Sequence, residues 1–185
     1  MKIAYPFRYI NGTLDNRLTF KKSTRPLELV AFSDSDWASS PDRKSTTSYY
    51  FSLSTDGPAL SWKTRKQATI ALSSCEAEYM ALCDTAKETI YLSKVLKDFS
   101  AVLKSPKPEP VWVHVDNQGA IALAKNPVHH ERSKHIDIKY HFSRECVANG
   151  HIRIAYVRSD DNISDVMTKA ASKLKLSRFR KALFG

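Results

Sequence analysis

Two aspartates stand where strand-forming stretches of the sequence end, and their side chains could hold a metal ion together. Asp34 follows the apolar, β-prone stretch 27–33, and Asp116 follows the buried-type stretch 111–115. If the two strands are parallel neighbours, their carboxyl ends meet at the edge of an α/β sheet where ligand sites form. Adjacent carboxylates raise each other's pKa unless a cation lies between them, and Mg²⁺ prefers such oxygen ligands. The alternative for each aspartate is an ordinary turn or helix-capping role, which spacing alone leaves open.

The elements around these aspartates predict an α/β fold with a mixed sheet. Turn signals join the first three strands into an antiparallel meander, whereas the later strands alternate with helices, so helices cover the sheet faces. Ser73 and Glu76 form a Ser-x-x-Glu capping box at the start of the first long helix. Strands are predicted at 27–33, 46–53, 59–62, 111–115 and 152–157, with a short further strand at 69–72. Helices are predicted at 73–99, from Asp116 to 125, across 131–149 and from Asn162 onward, after a lead-in over 1–17.

The composition predicts a globular chain with an excess of positive charge. The chain has 185 residues, 42% of them hydrophobic, and a formal net charge of +10. No apolar run approaches the ~20 residues that span a bilayer, and the first nine residues lack the apolar core of a signal peptide. A basic surface attracts phosphate backbones and also membranes, so the charge alone decides little. The basic, acid-free segment 166–185 fits a solvated helix face as well as a nucleic-acid contact.

The cysteines and histidines provide no clear metal or nucleophile motif. The three cysteines, Cys75, Cys83 and Cys146, have no zinc-type spacing, which predicts free thiols in a reducing compartment. A zinc site from His129, His130 and His135 has no spacing rule in its favour.

Several short motifs occur in a fixed order along residues 27–170. The series begins with Ser33-Asp34-Ser35-Asp36-Trp37-Ala38 and includes Ala77-Glu78-Tyr79, Asp116-Asn117-Gln118 and Asp165-Val166-Met167-Thr168-Lys169. It resembles the ribonuclease H domain of copia-type (Pseudoviridae-like) LTR retrotransposon Pol polyproteins. Residues 8–14 resemble the segment that links reverse transcriptase to that domain. The resemblance implies a ribonuclease H-like fold with a five-stranded mixed sheet.

The resemblance also implies a catalytic, metal-binding quartet. Its members are Asp34, Glu78, Asp116 and Asp165. They would bind two ions of Mg²⁺ or Mn²⁺, about 3.5–4 Å apart, on either side of the scissile phosphate. The implied reaction is endonucleolytic hydrolysis of the RNA strand of an RNA–DNA hybrid, leaving a 5′ phosphate. Cellular relatives often carry a histidine in the loop before the last carboxylate, and residues 157–162 contain none.

Each quartet member has a neighbouring acid as an alternative. Glu76 and Glu78, two residues apart on a helix, point about 200° apart and cannot share one site. Glu76 already closes the capping box, and the stretch around Glu78 matches the Ala-Glu-x-x-Ala-Leu pattern of ribonucleases H, so the resemblance favours Glu78. Asp36 competes with Asp34 but is better explained as a turn residue. Asp160 and Asp161 compete with Asp165, and the family motif selects Asp165.

We expect shape-dependent recognition of the hybrid through 2′-hydroxyl and phosphate contacts. The candidate substrate-binding residues are Ser35, Ser74, Asn117, Lys63, Lys66 and His135. The expected partners are an RNA–DNA hybrid and the upstream reverse transcriptase domain of the same polyprotein, with no membrane. The expected location is a cytoplasmic virus-like particle, with the nucleus as an alternative, and not a secretory compartment.

The resemblance divides the chain into three parts. Residues 1–26 are expected to be a remnant of the connection from reverse transcriptase, residues 27–172 the ribonuclease H domain, and residues 173–185 a basic C-terminal tail. Ser48, Cys75 and Ala170 replace the Gly, Thr and Pro that are usual in the family. The alternative function is therefore a catalytically weak or inactive domain that retains the fold and binds nucleic acid.

Overall fold

The chain forms one five-stranded sheet with helices on both faces. A computed structural model describes residues 4–22, 28–55, 57–103, 110–126, 136 and 138–184. The strands are β1 (Val30–Asp36), β2 (Thr46–Ser52), β3 (Ala59–Lys66), β4 (Val111–Val115) and β5 (Ile152–Tyr156). The α-helices are α1 (Ala4–Asn11), α2 (Ser74–Leu103), α3 (Gln118–Lys125), α4 (Phe142–Ala148) and α5 (Lys173–Phe184).

The sheet combines an antiparallel half with a parallel half. The strand order is β3-β2-β1-β4-β5. β1, β2 and β3 pair in an antiparallel manner, as short turns between successive strands require. β4 pairs in parallel with both β1 and β5, because helices cross over between these strands. The predicted five-stranded mixed sheet is confirmed.

Each face of the sheet has its own apolar cluster. The larger cluster packs α2, α3 and α4 against the sheet and includes Phe51, Leu82 and Val113, none of them exposed. The smaller cluster, on the other side, joins Tyr50 and Ile163 to Phe179 of α5. The segment expected to be a basic tail thus contains a helix with a buried aromatic anchor. No helix in the described ranges has the length and apolar character needed to cross a membrane.

Two local predictions from the sequence were wrong. Residues 69–72 do not form a fourth strand, and side chains bond two of their backbone groups. Trp37 Nε1 donates to the carbonyl of Ala71 at 3.1 Å, and the Leu72 amide donates to Glu76 Oε2 at 2.8 Å. β1 does not end before Asp34, since ladder pairing with β2 continues to Asp36. The lead-in contains the short helix α1.

The helix predicted from Asn162 onward is also wrong in its first part. Residues 159–161 and 163–167 form two short 3₁₀ turns, and the α-helix begins only at Lys173. The Asn162 side chain caps the second turn by accepting a hydrogen bond from the Ser164 amide at 3.1 Å. The Asp165 amide then donates to the Asn162 carbonyl, an i to i+3 bond that fixes the tighter geometry.

Two other predicted helices agree with the structure where it describes them. α3 follows Asp116 closely, and Asn117 caps it by accepting from the Ala120 amide at 3.0 Å. Of the stretch 131–149, the described part contains a 3₁₀ turn at Ile138–His141 followed by α4. Gly150 ends this region with a φ of 69°, a conformation that favours glycine.

Replacing Asn162 by alanine is expected to destabilise the fold by about 1–3 kcal/mol. The fully buried amide of Asn162 donates to the Ser33 carbonyl at 3.0 Å and accepts from the Ser164 amide. Its loss therefore leaves both of these backbone groups without this hydrogen-bond partner. Urea unfolding followed by circular dichroism measures the change. The exposed Asn149, replaced by alanine, is the control and should change the free energy of unfolding by less than about 0.5 kcal/mol. Equal small effects of both substitutions would contradict this role of Asn162.

Candidate metal centre

Three carboxylates from three different elements meet at one end of the sheet. Asp34 lies on β1, Glu78 on the first turns of α2, and Asp116 directly after β4. Each contributes one carboxylate oxygen to a group whose members all lie within 4.8 Å of one another. The group therefore has the size of a site for a metal ion.

The parallel pairing of β1 with β4 explains why the two aspartates are neighbours. Phe32 is the register partner of His114, and their rings stack with centroids 4.7 Å apart. Asp34 and Asp116 each lie two residues further along these strands. Because side chains alternate between faces, the two aspartates share the face of the stacked rings. The expectation that the two strands are parallel neighbours is confirmed.

The start of α2 places Glu78 opposite the two aspartates. The Ser73 hydroxyl accepts a hydrogen bond from the Glu76 amide at 3.1 Å, and Glu76 reaches back to the Leu72 amide. This arrangement closes the helix N-terminus and occupies Glu76 away from the cluster. Glu78 Oε1 accepts a hydrogen bond from the Ser35 amide at 3.0 Å. Glu78 Oε2 is buried and has no hydrogen-bond partner.

Burial of these acids disfavours their charged forms. Asp34 is 2% exposed, and burial raises its pKa from 3.8 to about 6, although a hydrogen bond from Thr168 opposes the shift. Burial also raises the pKa of Glu78, which is 5% exposed, with the charges of Asp34 and Asp116 adding to the effect. The cluster thus brings together acids whose charged forms are disfavoured by burial and only partly compensated by hydrogen bonds and by the charge of Lys169.

The arrangement fits a hard divalent cation. All three side chains offer carboxylate oxygens, which are the ligands that Mg²⁺ and Mn²⁺ prefer. The buried, unpartnered Oε2 of Glu78 is the kind of atom that a cation would satisfy. A cation would also favour the charged forms of Asp34 and Glu78, offsetting the burial and the neighbouring charges that raise their pKa.

Asp165, the fourth predicted ligand, lies beside this cluster and is engaged elsewhere. It is 1% exposed and lies in the second 3₁₀ turn, not in an α-helix. Its Oδ1 is 2.5 Å from Lys169 Nζ, and its Oδ2 is 2.7 Å from Lys175 Nζ. It does not belong to the group of three carboxylates in the described part of the chain. Its charge is still close enough to contribute to the raised pKa of Asp34.

The segment 159–168 connects Asp165 to the other acids. The Asn162 amide lies 3.4 Å from Asp34 Oδ1, and the Thr168 hydroxyl donates to Asp34 Oδ2. The Ser159 hydroxyl donates to Asp116 Oδ2 at 2.7 Å. One short segment thus orients both sheet aspartates.

The candidate substrate residues lie in different surroundings. Ser35 is half-buried next to Glu78, and Asn117 is used as the cap of α3. Ser74 is exposed at the first residue of α2, and Lys63 is exposed on β3. Lys66 is exposed and pairs with Asp42 at 3.2 Å. His135 lies outside the described residues. Cys75, Cys83 and Cys146 are not joined in a disulfide in the described part of the chain.

Thr168 and Lys175 are among the residues at the site that the sequence did not identify as participants, together with Ser159 and Lys169. Thr168 belongs to the last motif, three residues after Asp165, and that spacing could have suggested a shared role. Lys175 carries no such signal, because its contact depends on how α5 folds back onto the turn at 163–167.

Comparison with known proteins gives relatives for almost the whole chain. It is 37% identical over 174 residues to the retrovirus-related Pol polyprotein from transposon TNT 1-94 of Nicotiana tabacum, covering 94% of this chain and 12% of that polyprotein. It is 36% identical over 176 residues to the corresponding polyprotein from transposon RE2 of Arabidopsis thaliana, with 95% and 12% covered. The chain thus spans about an eighth of the length of these relatives. No family model matches the chain.

Solved structures give a matching fold at low sequence identity. The N-terminal RNase H domain of a Mycobacterium tuberculosis protein matches with a TM-score of 0.54 and 13% identity, covering 82% of this chain and 98% of that domain. LC11-RNase H1, solved in complex with an RNA/DNA hybrid, matches with a TM-score of 0.51 and 15% identity, covering 80% and 99%. These matches identify the fold of the chain.

Removing the Asp34 carboxylate is expected to stabilise the metal-free protein at high pH. Because the folded-state pKa of about 6 exceeds the ordinary 3.8, protonated Asp34 stabilises the fold below pH 4, and this contribution is lost as the pH rises through 6. The shift corresponds to about 3 kcal/mol. Asp34→Asn should therefore gain stability relative to the wild type between pH 4 and pH 8, measured by urea unfolding in EDTA.

The control for this experiment is Asp98→Asn, at an exposed position on α2. Its difference from the wild type should stay constant over the same pH range. A constant difference for Asp34→Asn as well would show that the Asp34 carboxyl is not destabilised by ionisation.

Proposed function

This chain belongs to the copia-type retrotransposon Pol family and has the ribonuclease H fold, and we propose that it hydrolyses the RNA strand of RNA–DNA hybrids during reverse transcription. The observation that carries the proposal is the cluster of Asp34, Glu78 and Asp116, with all ligand atoms within 4.8 Å. The reaction class is phosphodiester hydrolysis that leaves a 5′ phosphate.

The three clustered acids would hold divalent cations, Mg²⁺ or Mn²⁺, in a two-ion arrangement with Asp165 as the fourth ligand. Cations bound there would lower the pKa of a water molecule and stabilise the charge on the leaving oxygen. The acids themselves then remain ionised and act as ligands. The Ser35 amide keeps Glu78 turned toward Asp34, and the Ser159 hydroxyl orients Asp116.

The surroundings of the cluster suit a substrate with a polyanionic backbone. Ser35 and Ser74 lie near the acids on β1 and α2, where we propose that they contact the hybrid through its 2′-hydroxyl groups or phosphates. Asn117 is adjacent to Asp116, but its side chain caps α3 by accepting from the Ala120 amide. It would therefore contact the hybrid through its backbone. Lys63 and Lys66 on β3 would contact phosphates, with Lys66 exchanging its ion pair with Asp42. We keep His135 as a candidate from the sequence alone.

The similarity to part of much longer Pol polyproteins leads to further proposals about partners and location. Because the chain spans about an eighth of its relatives, the upstream reverse transcriptase domain is proposed as a partner in the same polyprotein. Residues 1–26 would be the connection to that domain, 27–172 the nuclease domain and 173–185 its basic C-terminal extension. The proposed location is the cytoplasm, in virus-like particles.

Replacing Asp116 by asparagine is expected to abolish hydrolysis. A labelled RNA–DNA hybrid incubated with the protein and Mg²⁺ or Mn²⁺ should lose its RNA strand, and Asp116→Asn should slow this by more than about 100-fold. Loss of only an outer partner of a metal ligand already costs about 10–100-fold. Glu78→Gln should have the same effect, because it removes the negative charge and one carboxylate oxygen of a second ligand.

Asp98→Asn is again the matched control and should retain the wild-type rate. Filter binding with the same hybrid separates the two functions considered from the sequence. Binding without cleavage of the RNA strand, where a control ribonuclease H cuts, would favour the inactive binding domain and contradict the proposal.

A further inference from the structure

The buried carboxylate of Asp165 is held by two lysines, unlike the three clustered acids. Lys169 comes from the next turn of the chain and is 51% exposed, whereas Lys175 comes from α5 and is only 20% exposed. Asp34, Glu78 and Asp116 make no ion pair with any residue that the structure describes. The four predicted ligands are therefore not equivalent.

Lys175 is fixed by bonds beyond its ion pair. Its Nζ also donates to the Ser159 carbonyl at 3.0 Å, so it joins the two 3₁₀ turns. One helical turn further, Arg178 pairs with Asp161 at 2.5 Å. These contacts attach the N-terminal half of α5 to the segment that orients the aspartates.

The other half of α5 is anchored to the sheet and to the N-terminal segment. Phe179 is buried in the smaller apolar cluster, and the Tyr50 hydroxyl donates to the Ala182 carbonyl at 3.0 Å. The Thr19 amide donates to the Phe184 carbonyl at 2.8 Å. With the helix held at both ends, Lys175 can leave Asp165 only by changing its own side-chain conformation or by movement of α5.

We propose that Lys175 controls the order in which divalent cations bind, an inference that rests on the proposed metal-dependent function. The cluster of Asp34, Glu78 and Asp116 takes the first cation. Asp165 accepts a second only when the Lys175 ammonium leaves its Oδ2. Lys175 is thus a positioning residue for Asp165 and a competitor of the second cation.

The physical basis is competition for the same oxygen atoms. An ammonium and a divalent cation placed together at Asp165 Oδ2 would repel each other, and at a largely buried position this repulsion is weakly screened. Lys169, half exposed, can turn into solvent at little cost. Lys175 must also give up its bond to Ser159, so it is the main obstacle to the second cation.

The test counts Mn²⁺ ions by electron paramagnetic resonance and isothermal titration, without substrate. The wild type should bind one Mn²⁺ tightly and a second more weakly. Lys175→Met should raise the Mn²⁺ affinity of the second site at least tenfold. It should change the affinity of the first site by less than threefold. Arg178→Met, on the same helix and bonded to the same turn but not to Asp165, is the matched control and should leave both sites within twofold.

Two outcomes would overturn the role of Lys175. One outcome is that the Mn²⁺ affinity of the second site in Lys175→Met stays within twofold of the wild-type value or falls. The other is that the wild type binds two Mn²⁺ ions equally tightly. The metal-dependent function fails separately, if the wild type binds no Mn²⁺ or if Asp116→Asn leaves the tight site unchanged. Circular dichroism verifies the fold of each variant.

A measurement on the wild type tests the same inference if Lys175→Met does not fold. In protein with ¹³C-labelled lysine, the Lys175 side-chain signals should shift during the second, weaker phase of a Mg²⁺ titration. A shift confined to the first phase, or no shift, would overturn the proposal.

Discussion

The parallel pairing of β1 with β4 is the interaction on which the site depends. It places the residues two positions beyond Phe32 and His114 side by side, so that Asp34 and Asp116 converge at one end of the sheet. Antiparallel pairing would have sent the ends of these strands in opposite directions. α2, which crosses over between β3 and β4, makes this parallel pairing feasible and also contributes Glu78. The connection that permits the pairing therefore supplies the third carboxylate.

Collecting buried carboxylates at one place has an electrostatic cost, and the chain meets that cost in two ways. At Asp165 the compensation is internal, from the ammonium groups of Lys169 and Lys175. At Asp34 and Glu78 the compensation is only partial, through a backbone amide and a hydroxyl, and their pKa values stay raised. A fold optimised for stability alone would have no reason to leave Glu78 Oε2 buried and unpartnered. A cation-binding role explains why Asp165 is paired with lysines whereas, among the described residues, Asp34 and Glu78 are not.

The sheet could be predicted from short-range strand and turn patterns, whereas the three clustered acids were assigned through motifs that resemble the family, supported by the strand ends at Asp34 and Asp116. The capping box at Ser73 distinguishes Glu76 from Glu78, since only one of the two can face the cluster and the box already occupies Glu76. The region 159–173 was predicted less well, because its 3₁₀ turns arise from bonds that distant residues reinforce. Asn162 reaches across to the Ser33 carbonyl, and no local pattern contains that contact. The ion pair between Asp165 and Lys175 could not be predicted from the sequence for the same reason, because it depends on where α5 packs.

The two 3₁₀ turns are what allow one short segment to serve several carboxylates at once. Within ten residues, Ser159 reaches Asp116, Asn162 and Thr168 reach Asp34, and the charge of Asp165 lies close enough to affect Asp34. A continuous α-helix would repeat every 3.6 residues and direct one stripe toward the sheet. The two tighter turns, with the extended Asn162 between them, instead bring Ser159 to Asp116 and both Asn162 and Thr168 to Asp34. Because this segment forms the last contacts to the aspartates and is itself held by α5, the geometry of the metal centre is coupled to the docking of the C-terminal helix.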